Sequence, residues 1–296
     1  MFKVHSFPYL RRLKSLWLHS FLWLAISLLV ACGGGSTANN AAENAVPATT
    51  TPTPPAPTAP LIAPGAYVAS LIGKDWVTML LPTAQASGGI THFYGLYYNA
   101  TDPELYSGSG NITDPNNASL SRVFFYPNIS AATRSGSGTI ANLGNGVVRF
   151  NLTFPASGLE LGRELSVAAS APSAYQYNAP AKLSQVQGTW QGRWSYGVGS
   201  VDNFSLAISA QGTVSTSMTF QQDCQLTQST LIPNFDGTNL FAFTMTIPNA
   251  TQCSLKNQVL NGAAFVSTSP VAGKTQRLYI AGVTADGRGI SFRADR

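Results

Sequence analysis

The stretch FSLAISAQGTVSTSMTF, Phe204–Phe220, decides the fold class of this chain. Apolar residues alternate with small or polar residues over Phe204–Ala210, and the same alternation returns over Val214–Phe220. Successive side chains of a β-strand point to opposite faces, so each half predicts a strand with one buried face. Gln211 and Gly212 separate the halves, and a glycine-containing break between two alternating runs predicts a β-hairpin.

The same alternation occurs on both sides of this hairpin. Phe241–Ile247, FAFTMTI, carries its larger apolar residues at every second position, and Val148–Phe154, VRFNLTF, does so in the first half of the chain. After Gly65 almost no segment has the period of an amphipathic helix, and turn signals recur about every ten residues. This spacing is typical of antiparallel sandwiches and small barrels. The sequence therefore predicts an all-β protein and leaves the choice between β-barrel and β-sandwich open.

A faint internal repeat indicates that the β region consists of two domains. Its two copies are GAY, Gly65–Tyr67, with DWVTMLLP, Asp75–Pro82, and GTW, Gly188–Trp190, with DNFSLAIS, Asp202–Ser209. Each copy opens with glycine, any residue and an aromatic residue, and then places an aspartate ahead of an alternating apolar strand. We therefore predict two small antiparallel domains in tandem, residues 65–180 and 181–296, joined near YNAPAKLSQVQ, Tyr177–Gln187.

Residues 1–31 have the layout of a secretory signal peptide. Their positive charges lie at Lys3, Arg11, Arg12 and Lys14. No acidic residue precedes Glu43, and residues 16–31 form a mostly apolar run. A transmembrane helix needs about 20 predominantly apolar residues, whereas this run has 16 and is interrupted by His and Ser. A cleaved leader is favoured, and a membrane-spanning anchor is the alternative.

The leader ends in a motif that suggests lipid attachment. Leu29, Val30, Ala31 and Cys32 resemble the lipobox of bacterial lipoproteins, in which the leader is cut before the cysteine and the sulfur carries a diacylglycerol. The resemblance implies that Cys32 is the lipidation site, and that palmitate-type acyl chains anchor the protein in a membrane. In that family an aspartate after the cysteine favours retention on the inner membrane. Gly33 occupies this position here, so the resemblance implies the outer membrane, with the periplasmic or cell-surface side left open.

A tether separates the predicted anchor from the β domains. Residues 32–64 comprise Cys32 and a segment rich in Pro, Thr and Ala whose one charged residue is Glu43. Proline-rich segments of this composition stay extended and have little apolar surface to bury. We therefore predict a disordered linker.

The junction between the domains carries a second resemblance. AYQYNAPAKLSQVQGTWQG, Ala174–Gly192, resembles the junction between units in uncharacterised tandem β-domain outer-membrane lipoproteins of Gram-negative bacteria. That resemblance implies the architecture and no activity.

The net charge gives little support to nucleic-acid binding. The chain has 17 Lys and Arg and 12 Asp and Glu, but four of the cations lie in the leader, which leaves 13 against 12. A nucleic-acid-binding domain needs a clustered basic surface. We therefore predict no nucleic-acid partner.

The three cysteines predict one disulfide. With Cys32 lipidated, Cys224 and Cys253 remain as a pair in an oxidising compartment, where a disulfide is expected. Such a bond stabilises a domain by about 3 to 4 kcal/mol in the chain-entropy model. A metal site is the alternative, but His92, the one histidine after the leader, is far away in sequence. We predict no metal and no cofactor.

The segment HFYGLYYN, His92–Asn99, is the best candidate for a binding surface because both of its alternating faces are apolar or aromatic. One face must lie outside the core unless another element covers it. Exposed aromatic surface usually marks an interaction site. We therefore predict a patch that takes a protein or glycan partner; packing of the two domains on each other is the alternative. The patch consists of His92, Phe93, Tyr94, Tyr97 and Tyr98.

Other conspicuous segments favour structural explanations. Alternation in GTWQGRWSYG places Trp190, Gly192 and Trp194 on one face, which predicts core packing rather than an exposed sugar-binding platform. Two SGSG segments, Ser107–Gly110 and Ser135–Gly138, fit tightly curved strands and lack the context of a phosphate-binding loop or a serine nucleophile. Asp114, Asn116 and Asn117 favour a proline-containing turn over a calcium loop.

No catalytic constellation can be assembled from the sequence. Hydrolases commonly need a histidine base or a close carboxylate pair. Glu160 and Glu164 form a close pair of acids, and with Arg163 between them they fit a solvated connection. We therefore predict a non-enzymatic lipoprotein that binds a partner or supports the envelope. The alternatives are a surface receptor or adhesin for a glycan or host protein and, after it, a small envelope hydrolase.

Overall fold

The computed structural model is all-β. It describes residues 62–71, 74–82, 90–99, 102–114, 116–126, 133–158, 161–172, 175–176, 179–196, 199–216, 227–233, 238–248 and 255–296. In these ranges the chain forms sixteen strands and one turn of 3-10 helix, Leu183–Gln185. Within the same ranges no helix has the length and apolar character needed to cross a membrane.

The first eight strands form a closed antiparallel barrel in which each strand pairs with the next along the chain. They are β1 Gly65–Leu71, β2 Lys74–Pro82, β3 Ile90–Asn99, β4 Asp102–Asp114, β5 Asn117–Tyr126, β6 Arg134–Gly144, β7 Val147–Phe154 and β8 Arg163–Ser170. The barrel closes between β1 and β8 through the pair Val68 and Ser170. A closed barrel leaves no sheet edge open for pairing with another chain.

The last eight strands form a second closed barrel of the same kind. They are β9 Gly188–Tyr196, β10 Gly199–Ile208, β11 Thr213–Thr216, β12 Thr227–Pro233, β13 Phe241–Ile247, β14 Gln258–Thr268, β15 Gln276–Val283 and β16 Gly289–Asp295. This barrel closes between β9 and β16 over the register from Tyr196–Ile290 to Gln191–Asp295. The prediction of two tandem antiparallel β domains is confirmed, and both are barrels rather than sandwiches.

The hairpin that decided the fold class lies in the second barrel. Leu206 of β10 pairs with Thr216 of β11, and Ile208 pairs with Val214, across the turn that contains Gly212. Residues 217–220 of the predicted strand lie outside the described residues. Alternation also holds in β7 of the first barrel, where every second residue from Val148 to Phe154 is buried.

Aromatic side chains fill both barrels. The ring centroids of Trp76 and Tyr106 lie 5.3 Å apart inside the first barrel. In the second barrel Trp194 and Phe204 lie 5.2 Å apart. Trp190 is also fully buried there. The prediction that GTWQGRWSYG places its tryptophans in the core is therefore confirmed.

The SGSG segments lie where neighbouring strands approach closely. A Cβ atom on Gly110 would overlap the backbone carbonyl of Ser119 on β5. A Cβ atom on Gly138 would overlap the carbonyl of Asn151 on β7 in the same way. These glycines therefore allow the neighbouring backbones to approach closely.

The barrels pack on each other through a third apolar cluster, which we call the inter-barrel interface. The outer faces of β1–β4 and the end of β5 contribute Ala66, Val77, Met79, Leu96, Tyr98, Leu105 and Tyr126, and the second barrel contributes Leu240, Ala263, Phe265, Tyr279 and Ala281. Phe265 and Tyr279 stack with ring centroids 5.0 Å apart, and Tyr98 lies 6.2 Å from Tyr279. Both barrels lie in one compact unit, Pro55–Arg296.

The junction between β8 and β9 packs on the second barrel. Tyr175 donates a hydrogen bond of 3.1 Å to the backbone carbonyl of Asn239, and its ring meets Phe265 edge-on. Arg296 lies over the ring of Trp190 at 4.2 Å and donates a hydrogen bond to the carbonyl of Gln185. The segment predicted as a connection is therefore fixed to the second barrel by packing and hydrogen bonds.

Candidate functional site

The five residues of the predicted aromatic patch do not share one surface. Phe93 and Tyr97 are buried inside the first barrel, and Tyr98 is buried in the inter-barrel interface. His92 is exposed and Tyr94 is half-buried. The correction has a simple cause: one face of β3 packs on its own barrel and most of the other packs on the second barrel, which was the alternative left open by the sequence.

His92 and Tyr94 line a small groove at one end of the inter-barrel interface. The groove has a volume of about 130 Å³ and is also lined by Arg122, Phe124 and Thr284. Burial lowers the pKa of His92 below its ordinary value and raises the pKa of Tyr94 to about 12. Both side chains are therefore neutral at neutral pH, and the groove offers few fixed charges to a ligand.

A larger and more polar groove lies on the outer face of the second barrel. We call it the arginine groove. Its charged side chains are Arg193, Asp202, Lys274, Arg277, Arg293 and Asp295, and its volume is about 410 Å³. Interior positions of β9 and β16 hold aromatic and small residues, so alternation places these arginines on the outside. The four cations exceed the two acids by two charges.

The strand register sets the arrangement of the arginines. Arg193 of β9 lies directly opposite Arg293 of β16, and Arg293 lies opposite Tyr279 of β15. In the next row Arg277 lies opposite Asp295. One row of the outer face therefore places two like charges side by side, and the neighbouring row places opposite charges side by side.

Arg277 and Asp295 form a fixed ion pair at the edge of the groove. The Nε and Nη2 atoms of Arg277 donate hydrogen bonds of 2.7 and 2.9 Å to the two carboxylate oxygens, and Ser269 donates a third of 2.6 Å. Burial alone would raise the pKa of Asp295, but the hydrogen bonds from Arg277 and Ser269 outweigh burial and lower that pKa. The pair is therefore fully charged at neutral pH and its donors and acceptors are largely satisfied.

Arg193 and Arg293 differ in how they are held. Arg193 contacts Asp202 at 3.0 Å and donates a hydrogen bond of 2.6 Å to Ser200. Arg293 stacks on the ring of Tyr98, with its central carbon 4.3 Å from the ring centroid. Among the described residues Arg293 has no hydrogen-bond partner, so its N–H groups remain available to a ligand.

The mouth of the first barrel holds a second charged site that sequence analysis missed. The Nη1 and Nη2 atoms of Arg163 donate hydrogen bonds of 3.0 and 2.6 Å to the two carboxylate oxygens of Glu104. The hydroxyl of Tyr106 donates a third bond of 2.9 Å to Glu104, and Arg163 lies over the ring of Phe125 at 4.7 Å. Among the residues that the structure describes, these groups satisfy one another and fill this end of the barrel.

The predicted pair of acids near Arg163 is not assembled as a site. Glu164 is exposed on β8, and Glu160 lies outside the described residues. Arg163 itself pairs with Glu104, which is 59 positions away in the chain. Within the part of the chain that the structure describes, no group of three or more His, Cys, Asp or Glu side chains is placed to hold a metal ion.

The remaining sequence candidates are a turn and three cysteines. Asp114 accepts hydrogen bonds from the backbone N–H of Asn116 at 2.8 Å and from the side chain of Asn117 at 3.1 Å, so its carboxylate is used inside the turn. Cys32, Cys224 and Cys253 lie outside the described residues. Lipidation and the disulfide therefore stay predictions.

Functional inference for this chain rests on its own geometry. Comparison with protein-family models, with curated proteins and with solved structures finds no match. That geometry includes two filled barrels, a small groove beside His92 and the arginine groove.

Proposed function

We propose that this chain is a non-enzymatic binding or envelope-support module that a lipid on Cys32 anchors in the outer membrane. The observation that supports the binding role is the filled interior of both barrels, where Trp76, Phe150, Trp194 and Phe292 are almost completely buried. A ligand of such a molecule meets its outer surface, and a rigid pair of barrels is a suitable platform for that contact. The ligand is a protein or a glycan, and no metal or cofactor takes part.

The anchoring part of the proposal rests on the leader and the motif around Cys32. The linker that follows is long enough to hold the barrels several tens of Å from a bilayer, at about 3.1 Å per residue in an extended proline-rich chain. More than one acyl chain makes such an anchor effectively permanent.

The anchor is tested by changing Cys32→Ala and labelling cells with radioactive palmitate. We expect the label to disappear from the protein and the protein to leave the membrane fraction. Cys224→Ala is the matched control, because it removes another cysteine and keeps the lipobox. Label that enters the Cys32→Ala protein at the level of the parent would contradict the proposal.

A surface receptor or adhesin is the second candidate, and the open, positively charged arginine groove favours it. Protease treatment of intact cells separates the two orientations. A receptor on the cell surface is cut and loses its barrels, whereas a module that faces the periplasm survives until the outer membrane is permeabilised. A periplasmic marker protein controls for membrane damage.

A further inference from the structure

We propose that the arginine groove binds an acidic saccharide, whose phosphate, sulfate or carboxylate group lies between Arg193 and Arg293. The inference rests on the proposed binding function and names its ligand class.

The first argument is the juxtaposition of two like charges. Directly opposed residues of an antiparallel pair have Cβ atoms about 4.5 to 5.5 Å apart, and like charges there destabilise the sheet. Arg193 and Arg293 occupy such a pair. Only 13 Lys and Arg follow the leader, so a general abundance of arginine does not explain the pairing. An anion bound beside both arginines offsets part of this repulsion.

The second argument is that Arg293 is oriented and has donors available. The central carbon of its guanidinium group lies 4.3 Å from the ring centroid of Tyr98, and this cation–π contact restricts where the group can move. No described residue accepts a hydrogen bond from it, and a guanidinium edge matches two oxygens of a phosphate, sulfate or carboxylate group. A preorganised donor loses less conformational entropy when the ligand binds.

The third argument concerns the neighbouring charges. The side chain of Asp202, which contacts Arg193, is 66% exposed, so solvent screens this contact and a bound anion can compete with it. The pair of Arg277 and Asp295 is internally neutral. Arg293 and Lys274 therefore supply the two excess positive charges of the groove.

The size of the groove and its uncharged polar residues indicate that the ligand is a sugar rather than a simple anion. A volume of about 410 Å³ lies in the range of small-molecule sites. An inorganic anion leaves most of this space empty. Gln191 and Asn203 line the groove with amide groups, which donate and accept hydrogen bonds as sugar hydroxyls require. Asn203 also has a positive φ of 55° at the bulge between Val201 and Phe204, a strained conformation often found at binding sites.

A nucleic acid fits the groove less well. Proteins that follow a phosphate backbone use a stripe of cations with stacking aromatic side chains. The arginine groove has a net excess of two charges, and the aromatic ring beneath Arg293 is already covered by that arginine.

Titration calorimetry of the mature protein in detergent tests the proposal. The probes are glucose 6-phosphate, glucuronate and N-acetylglucosamine 6-sulfate, with glucose, inorganic phosphate and glutamate for comparison. We expect at least one acidic sugar to bind at least tenfold more tightly than all three comparison compounds. Preference for the phosphorylated sugar indicates an envelope glycolipid headgroup as the source, and preference for the other two indicates a soluble acidic polymer.

Variants assign this binding to the groove. Arg293→Gln is expected to weaken the affinity for the acidic sugar at least tenfold. Arg293→Lys keeps the charge but loses the planar guanidinium group, so its affinity is expected to lie between those of Arg293→Gln and the parent protein. Arg149→Gln is the matched control, because Arg149 is exposed on β7 of the first barrel. Far-ultraviolet circular dichroism confirms that each variant is folded.

Three results would overturn the inference. One is the absence of binding by all three acidic sugars, and another is binding that Arg293→Gln and Arg293→Lys leave unchanged. The third is that glucose, phosphate or glutamate binds as tightly as the best sugar. None of these results affects the palmitate test of the anchor, so failure of the ligand assignment is distinguishable from failure of the proposed function.

Discussion

At the mouth of the first barrel, one acid accepts hydrogen bonds from two side chains, one on its own strand and one on β8. Glu104 lies on β4, Arg163 on β8, and the Tyr106 hydroxyl completes the arrangement. The side chain of Glu104 is only 14% exposed and that of Arg163 is 29% exposed. A partly buried ion pair is costly to break because the partner that remains keeps its charge without compensation.

Changing Glu104→Gln is therefore expected to reduce the free energy of unfolding by about 2 kcal/mol, the typical size for a hydrogen bond to a charged group. Urea denaturation followed by tryptophan fluorescence measures this difference. Glu164→Gln is the control, since Glu164 is exposed and its replacement should change stability by no more than about 0.5 kcal/mol. Equal effects of the two substitutions would show that the contact with Arg163 contributes nothing to stability.

At the scale of the strands, β4 depends on glycine where it approaches β5. A Cβ atom added to Gly110 would overlap the carbonyl of Ser119, so β4 and β5 would have to move apart to accommodate any larger residue there. Gly110 also lies beside a shift in the register between these strands.

We expect Gly110→Ala to destabilise the first barrel by about 1 to 3 kcal/mol, as overpacking commonly does. Thermal unfolding measured by circular dichroism gives the change in melting temperature. Ser119→Ala is the matched control, because that side chain is exposed and its replacement leaves the backbone contact intact. A melting temperature of Gly110→Ala equal to that of the control would mean that β4 has room to move.

The strand scale also shows what sequence can predict. Alternation identifies β7, β10 and β13 because local backbone geometry alone fixes which side chains share a face. The alternation that places Trp190 and Trp194 in the core also leaves Arg193 on the outer face. The juxtaposition of Arg193 and Arg293 was not predictable, since it depends on the pairing of β9 with β16, two strands that are brought together only by closure of the barrel.

The aromatic strand β3 illustrates the same limit. Both faces of its sequence are apolar or aromatic; the structure buries Phe93, Tyr97 and Tyr98 and leaves His92 exposed. Whether a ligand or the other barrel covers the outer face of β3 depends on tertiary packing, which the alternation of residue types does not encode. Glu104 and Arg163 were missed for a related reason, because a contact across 59 positions leaves no local pattern.

For the whole molecule, the inter-barrel interface joins two units that each have a core of their own. Tyr98 is central to it, since its ring lies between Arg293 and Tyr279. Tyr97, the adjacent residue, belongs to the core of the first barrel instead. These adjacent tyrosines therefore contribute to two different apolar clusters, one inside the first barrel and one between the barrels.

We expect Tyr98→Ser to cost about 3 kcal/mol, as truncation of a buried aromatic side chain does, and to split unfolding into separate transitions of the two barrels. Differential scanning calorimetry resolves the transitions. Tyr97→Ser is the comparison, because it lowers the stability of the first barrel without loosening the interface. A single transition at the parent temperature for Tyr98→Ser would show that the interface does not couple the barrels.

The way the second barrel closes also determines when in folding it can form. β9 begins the second barrel but cannot complete its hydrogen bonds until β16 pairs with it, and Arg296 then contacts Gln185 across 111 positions. Contacts between such distant residues form slowly, because a long loop must close first. The second barrel therefore cannot close until β16, its last strand, is free to pair with β9. Until then one side of β9 is an unpaired sheet edge, and such edges can pair with other chains.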